Sequence, residues 1–286
     1  RIVRPDAAVI TSIGEEHLEK LGDLEGVLEE EIAILRGLPE DGVAMVAEEP
    51  AALPERAREI LGGERVSVAG FAPTSALHPE GGADAIETLP DGTTRWRWNA
   101  VDIHLPLPGR WNVRNALLAL GLALEWGVLA EEAALGVEGV VSTKLRGEWH
   151  QIGQMRVLAD CYNSNPPSLR AALDLLASLP ASGRKVAVVG TMRELGGSTD
   201  ALHEEAARAL ADRLGDGIDL VVATGHFADS FQPLAAELGE RLIACEDPVE
   251  AFAAAAPRLR PDDTLLLKAS RGEALERWLD LLGKDD

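Results

Sequence analysis

The sequence predicts an α/β protein of two domains, the second built on a doubly wound, mainly parallel sheet. Three observations carry this. The chain has 286 residues, enough for two domains of ordinary size. In its second half, short apolar runs alternate with amphipathic stretches, the strand–helix rhythm of parallel sheets. Polar, amide-rich segments follow several of those runs directly, where open α/β sheets place their chemistry.

In the first half, Ala7–Thr11 reads as a buried strand and Leu24–Leu35 as a helix with Asp23 as its N-cap. Val43–Ala47 and Arg65–Ala69 read as strands on either side of a helix over Ala51–Leu61. Gly81–Trp96, rich in Gly, Thr and Asp, suits loops and hairpin edges, and the alternation over Arg95–Leu107 suits an exposed antiparallel strand. Asn112–Trp126 carries apolar residues at helical spacing and is stopped by Gly127. The polar stretch Val140–His150 reads as a hinge, which puts the domains at 1–145 and 146–286.

In the second half, strands are expected at Arg156–Ala159, Val186–Val189, Leu220–Ala223, Leu242–Ala244 and Thr264–Leu267. Helices are expected at Leu169–Leu179, Asp200–Leu214, Phe227–Leu238, Pro248–Ala256 and Glu273–Leu282.

Composition narrows the function. A formal net charge of −21, with no basic stripe, argues against nucleic-acid binding. An acidic protein that takes a polyanion such as ATP needs local help from magnesium or arginine. Cys161 and Cys245 form neither a disulfide framework nor a zinc spacing, which suits reduced thiols in the cytoplasm. No apolar run approaches the roughly 20 residues of a membrane span, and no signal peptide is visible. The start at Arg1, almost inside a strand, suggests a fragment, a processed product or half of a split protein.

Five segments carry candidate chemistry. Asp160-Cys161-Tyr162-Asn163-Ser164-Asn165-Pro166-Pro167-Ser168 follows a strand and holds more hydrogen-bonding capacity than a turn needs. Gly190-Thr191-Met192-Arg193-Glu194-Leu195-Gly196, with His203 downstream, follows another strand but lacks the G-x-G-x-x-G spacing of a phosphate cradle. Lys268-Ala269-Ser270-Arg271 points two cations toward the crevice of Asp160, suited to a carboxylate or phosphate, or else forms a solvated basic turn. Asn112 and Asn115 share one face of a helix start; Asn112 is most simply an N-cap, while Asn115 offers an amide that matches an adenine edge. His17, in the loop after the first strand, is a possible metal ligand, although a lone loop histidine usually is not.

Taken in order, these segments resemble the Mur ligases, and among them the MurF type. The resemblance covers essentially the whole chain and is most specific in Asp-x-Tyr-Asn-x-Asn-Pro-x-Ser at 160–168 and Gly-x-Met-x-Glu-Leu-Gly at 190–196 with His203. Arg146–Glu148 also resembles the family's linker motif. The resemblance implies the remainder of a central ATP-binding domain followed by a Rossmann-like C-terminal domain. It implies a ligase that uses ATP and magnesium to join D-alanyl-D-alanine to UDP-N-acetylmuramoyl-tripeptide through an acyl phosphate. By the same resemblance, His17 ligates the second magnesium and Asn112 and Asn115 face the adenine. Arg146 reaches the nucleotide phosphates and acts in catalysis, Asp160 contacts the ribose, and Tyr162, Asn163 and Asn165 form the nucleotide-facing rim. Lys268, Ser270 and Arg271 face the incoming dipeptide, with Lys268 also catalytic.

The chain departs from the pattern in two large ways. No phosphate loop of the G-x-x-G-K-[ST] kind occurs in the 286 residues, which removes a backbone cradle and its lysine. The chain is therefore expected not to hydrolyse ATP alone. It would be a ligase fragment, a separately encoded half that joins a P-loop partner, a non-catalytic binding protein, or a ligase of another Mur type. Second, the lysine the family carbamylates falls at Glu31. Its carboxylate keeps the charge as a catalytic and metal-binding candidate, or else belongs to a solvated acidic helix face. Trp111 and Thr191 also replace the usual His and acid at their positions.

Overall fold

The structure is a computed structural model that describes residues 4–283. Two compact units meet between Val141 and Ser142.

The N-terminal unit opens with β1 (Ala7–Ile10), the short helix α1 (Leu18–Leu21) and α2 (Leu24–Ile32). Asp23 caps α2 by accepting from the Gly26 N–H at 2.9 Å. Next come β2 (Val43–Ala47), α3 (Ala52–Leu61) and β3 (Val66–Ala69). These strands form a parallel sheet in the order β1-β2-β3, with Ile10 opposite Val46 and Val46 opposite Val68. Then β4 (Glu87–Thr88), β5 (Thr94–Trp98) and β6 (Val101–Leu105) make a small antiparallel sheet, followed by α4 (Trp111–Glu125) and α5 (Ala130–Glu138).

Two expectations need correction here. Residues 95–107 are not one exposed strand. They fold back at Asn99 and Ala100, both at positive φ (49° and 63°), so that Trp96 faces Ile103 across the β5–β6 pair. The inward side chains Trp96, Trp98, Ile103 and Leu105 are buried and join the core with Val113, Leu117 and Leu120 of α4. The sequence pattern predicts no helix over Ala130–Glu138, yet α5 buries Ala133, Ala134 and Val137 against that core.

The C-terminal unit contains β7 (Glu148–Ile152), β8 (Met155–Asp160), α6 (Pro166–Ser178), β9 (Lys185–Val189), α7 (Thr199–Ala211) and β10 (Leu220–Ala223). It continues with α8 (His226–Ser230), α9 (Ala235–Leu238), β11 (Leu242–Ala244), α10 (Pro248–Ala255), β12 (Thr264–Lys268) and α11 (Arg277–Leu282). Its six-stranded sheet runs β11-β10-β9-β12-β8-β7 and is parallel except for β7, which pairs antiparallel with β8. The buried apolar strand residues, among them Val157, Val188, Val222 and Leu265, pack with Trp278 of α11, whose indole N–H donates to the Pro248 carbonyl at 2.9 Å.

Three further expectations change. Val140–His150 is not all hinge, because β7 begins at Glu148 and adds an edge strand. The single helix expected over 227–238 is broken into α8 and α9 by a 3₁₀ turn that contains Pro233, which has no N–H to continue a helix. The last helix starts at Arg277, after a 3₁₀ turn and Ala274 at φ 52°.

The strand order places the candidate chemistry. β8 is followed in sequence by β9, then β10 and β11 outward, and β12 returns to insert between β9 and β8. The loops after β8, β9 and β12 therefore leave the same edge of the sheet side by side, at its topological switch point.

Candidate functional site

Register builds the centre of this edge. Lys268, the last residue of β12, stands directly opposite Asp160, the last residue of β8. The Lys268 ammonium lies 3.3 Å from Asp160 Oδ2 and also donates to the Asn163 carbonyl. The lysine side chain is 1% exposed and that of Asp160 19%. Burial pushes the Lys268 ammonium below its ordinary pKa, and the Asp160 charge opposes that push. Lys268 is thus an interior cation that fixes a carboxylate and a backbone carbonyl, not a cation aimed into an open crevice. Neighbouring Cys161 is buried, and its thiol is pushed up to about 12 by burial, which makes it inert.

Ser270 ties the three loops together. Its hydroxyl accepts from the Arg193 N–H at 3.0 Å and lies 3.4 Å from the Ser164 carbonyl as donor, while its own N–H donates to the Thr191 carbonyl. Gly190 is needed at this junction: a Cβ there would come within 2.8 Å of Thr224 Oγ1 and 3.0 Å of the Ala269 Cβ. Thr191 has its own task, accepting from the His226 N–H at the start of α8. His203 is fully buried and holds the loop from behind, its Nε2 accepting from the Met192 N–H at 2.9 Å and its Nδ1 donating to the Thr199 carbonyl at 2.7 Å. Burial lowers its pKa, as the neutral tautomer requires. Arg271 is exposed and pairs with Glu276 at 2.5 Å. Arg193, not singled out from the sequence, is a second exposed cation on this rim, 3.5 Å from Glu273. Only its place after a strand end could have marked it.

The rim beside Asp160 is ordered. The Arg146 guanidinium sits over the Tyr162 ring, 4.2 Å from its centroid, and the Tyr162 N–H donates to the Leu145 carbonyl at 3.1 Å. Tyr162 and Asn163 are exposed. Asn165 is the N-cap of α6: its Oδ1 accepts from the Ser168 N–H, Ser168 Oγ accepts in return from the Asn165 N–H, both at 3.0 Å, and Pro166 begins the helix.

In the N-terminal unit, Asn112 is not an N-cap. It lies within the first turn of α4, its Nδ2 donating to the Pro108 carbonyl at 2.8 Å, and Arg110 takes the cap position. The Asn115 amide reaches Asn112 Oδ1 at 3.4 Å, so the two amides do stand side by side. Trp111 packs on Gly109, where a Cβ would fall 2.2 Å from the indole, and Gly109 is at φ 94°. His17, at φ 56°, is exposed at the start of α1, and Glu31 is exposed on α2. Among the described residues no group of three or more His, Cys, Asp or Glu could hold a metal ion. Nor is any helix among the described residues long and apolar enough to cross a membrane.

The chain is similar to known proteins. Residues 1–123 match the model of the Mur ligase middle domain, and residues 145–271 that of the Mur ligase glutamate ligase domain. The chain is 30% identical over 282 residues to the UDP-N-acetylmuramoyl-tripeptide–D-alanyl-D-alanine ligase of Bacillus subtilis, covering 96% of the chain and 59% of that relative. It is 31% identical over 294 residues to the protein of the same name from Escherichia coli, again covering 96% of the chain and 59% of the relative. The crystal structure of MurF from Acinetobacter baumannii superposes with a TM-score of 0.83 at 28% identity, over 99% of this chain and 60% of that one.

Proposed function

This chain belongs to the Mur ligase family, and from that membership we propose that it supplies much of the machinery of an ATP-dependent ligase. In this reading the ligase joins D-alanyl-D-alanine to UDP-N-acetylmuramoyl-tripeptide. The chain spans 59% of the length of the Bacillus subtilis and Escherichia coli relatives, so the activity is assigned to a machinery larger than these 286 residues. The observation that carries the reading is the Asp160–Asn165 loop, held between the buried Lys268 and the Arg146–Tyr162 stack at the switch point of a parallel sheet.

In the proposed reaction a peptide carboxylate oxygen attacks the γ-phosphorus of ATP and ADP leaves. The dipeptide amine then attacks the acyl carbon and phosphate leaves. The residues fit separate parts of this task. Asp160 has one carboxylate oxygen held by Lys268, which leaves the other to accept from a ribose hydroxyl. Arg146, held over the Tyr162 ring by a contact that consumes no N–H···O bond, suits phosphate oxygens. The paired amides of Asn112 and Asn115 suit an adenine edge. Arg271 and Arg193, both on the rim of the C-terminal unit, suit the dipeptide carboxylate, whereas Ser270 shapes the rim through its loop contacts.

His17 and Glu31 are the chain's candidates toward magnesium, and no step is assigned to a metal. The sequence has no G-x-x-G-K-[ST] loop, so the reading calls for a phosphate cradle from another segment or subunit. A cytoplasmic location goes with it, in keeping with the free thiols of Cys161 and Cys245.

The experiment is phosphate release from ATP with UDP-N-acetylmuramoyl-tripeptide present, by this chain alone and by the chain co-expressed with the coding sequence directly upstream. Release that needs D-alanyl-D-alanine, and appears only in the second case, is expected. Release by the chain alone, above an Arg146→Ala control, would remove the need for an outside cradle. No dipeptide-dependent release in either case would favour a non-catalytic nucleotide-binding protein.

A further inference from the structure

We propose that Tyr162 is a positioning residue for Arg146, and that Ser142–Gly147 is a built part of the C-terminal unit and not a free tether. The purpose of the device rests on the role given to Arg146 above; its geometry does not.

The pin has a side-chain half and a backbone half on the same residue. The Tyr162 ring carries the Arg146 guanidinium 4.2 Å from its centroid, within cation–π range. The Tyr162 N–H donates to the carbonyl of Leu145, the residue just before Arg146. One contact sets where the guanidinium lies, and the other sets where its backbone lies.

The rest of the segment is tied down in the same way. Leu145 is 2% exposed and packs in the core with Met155, Val157 and Cys161. It holds a left-handed backbone (φ 62°) that a leucine adopts only when its surroundings impose it. Its N–H donates to Glu148 Oε2 at 3.0 Å. The Arg146 N–H closes a turn onto the Thr143 carbonyl at 3.0 Å, and the Ser142 hydroxyl lies 3.3 Å from the carbonyls of both Arg146 and Gly147. A tether that served only to join two domains would need none of these bonds.

The orientation is useful. A cation–π contact consumes no N–H···O bond, so the guanidinium N–H groups remain for a polyphosphate, which arginine binds bidentately. An arginine held in advance loses less rotamer freedom on engaging an anion than one on a loose strap. Arg146 is exposed, so those edges are reachable by a ligand.

The test uses limited trypsin digestion of the 286-residue chain, with melting followed for each variant. The Arg146–Gly147 bond should resist cleavage in the unaltered chain. Tyr162→Leu should speed cleavage there about fivefold or more, whereas Tyr162→Phe, which keeps the ring, should leave it within about twofold. Tyr162 is half exposed, so neither variant removes core packing. Equal cleavage rates in all three proteins would overturn the pin. A second arm titrates the same proteins and Arg146→Ala with ATP and magnesium. Tyr162→Leu should weaken binding no further when added to Arg146→Ala; independent, additive losses would overturn the positioning role. If Arg146→Ala leaves ATP affinity unchanged while cleavage still depends on Tyr162, the pin stands and the assignment of Arg146 to the nucleotide falls.

Discussion

Lys268 shows how one residue can be placed by pairing that no local pattern reveals. A lysine closing a strand reads as a cation for a ligand. The register of β12 against β8 instead puts it opposite Asp160, where it is 1% exposed and bonded inward. A buried charge without its partner is expensive, so the pair should behave as a unit. Lys268→Met is expected to cost the C-terminal unit about 3 kcal/mol, because Asp160 is left with an uncompensated carboxylate. Asp160→Asn should also destabilise. The double variant should lose clearly less than the sum of the two. Urea unfolding of the three proteins measures this, and simple additivity would show that the ion pair is not the source of the loss.

At the level of elements, the loop between β9 and α7 depends on His203 as a neutral acceptor. Burial holds its pKa below the ordinary value of 6.5, with the nearby His226 charge adding to that push and the Thr199 carbonyl and Asp200 opposing it. Well above pH 6.5 the histidine is neutral both folded and unfolded, and its contribution is intact. As pH falls below that value the unfolded chain takes up a proton that the folded chain refuses, so stability declines. Unfolding free energy should therefore drop as the pH falls below about 6.5, and His203→Gln, which keeps an acceptor, should start lower but show a flatter slope. An unchanged slope in the variant would assign the pH dependence to other groups. The β-strands at 7–10, 43–47, 66–69 and 185–189 were legible because apolar runs of that length bounded by polar residues have few other folds. The Asn165-Pro166-Pro167-Ser168 run carries capping signals that place the start of α6 at Pro166, three residues before the Leu169 that apolar spacing alone predicts. The β5–β6 hairpin was hidden because the alternation of Trp96 and Trp98 passes into that of Ile103 and Leu105, with only Asn99 and Ala100 to mark the reversal. Helix α5 was hidden by its small residues and by Gly136 within it. Candidate site residues were legible by type at strand ends, but their partners were not, since a partner is fixed by strand order and register.

For the whole molecule, the independence of the two units can be argued from what each contains. The C-terminal unit holds all six strands of its sheet within residues 148–268 and a core of its own that runs from Leu145 to Trp278. Its family match begins at residue 145. A chain of this size buries enough apolar surface to fold by itself. Residues 142–286 alone are therefore expected to melt cooperatively, within a few degrees of a transition seen in the whole chain. A fragment that starts at Gly153 should fare worse for two reasons. It lacks β7, so β8 becomes a bare parallel edge open to pairing with other chains. It also lacks Leu145, leaving a gap in the core and removing the acceptor of the Tyr162 N–H. A lost buried leucine typically costs about 2–5 kcal/mol, a large share of a domain's stability. The comparison is a pair of melting curves with light scattering recorded alongside. If the shorter fragment were as stable and soluble as the longer one, the segment from Ser142 to Ile152 would have no structural part in the C-terminal unit.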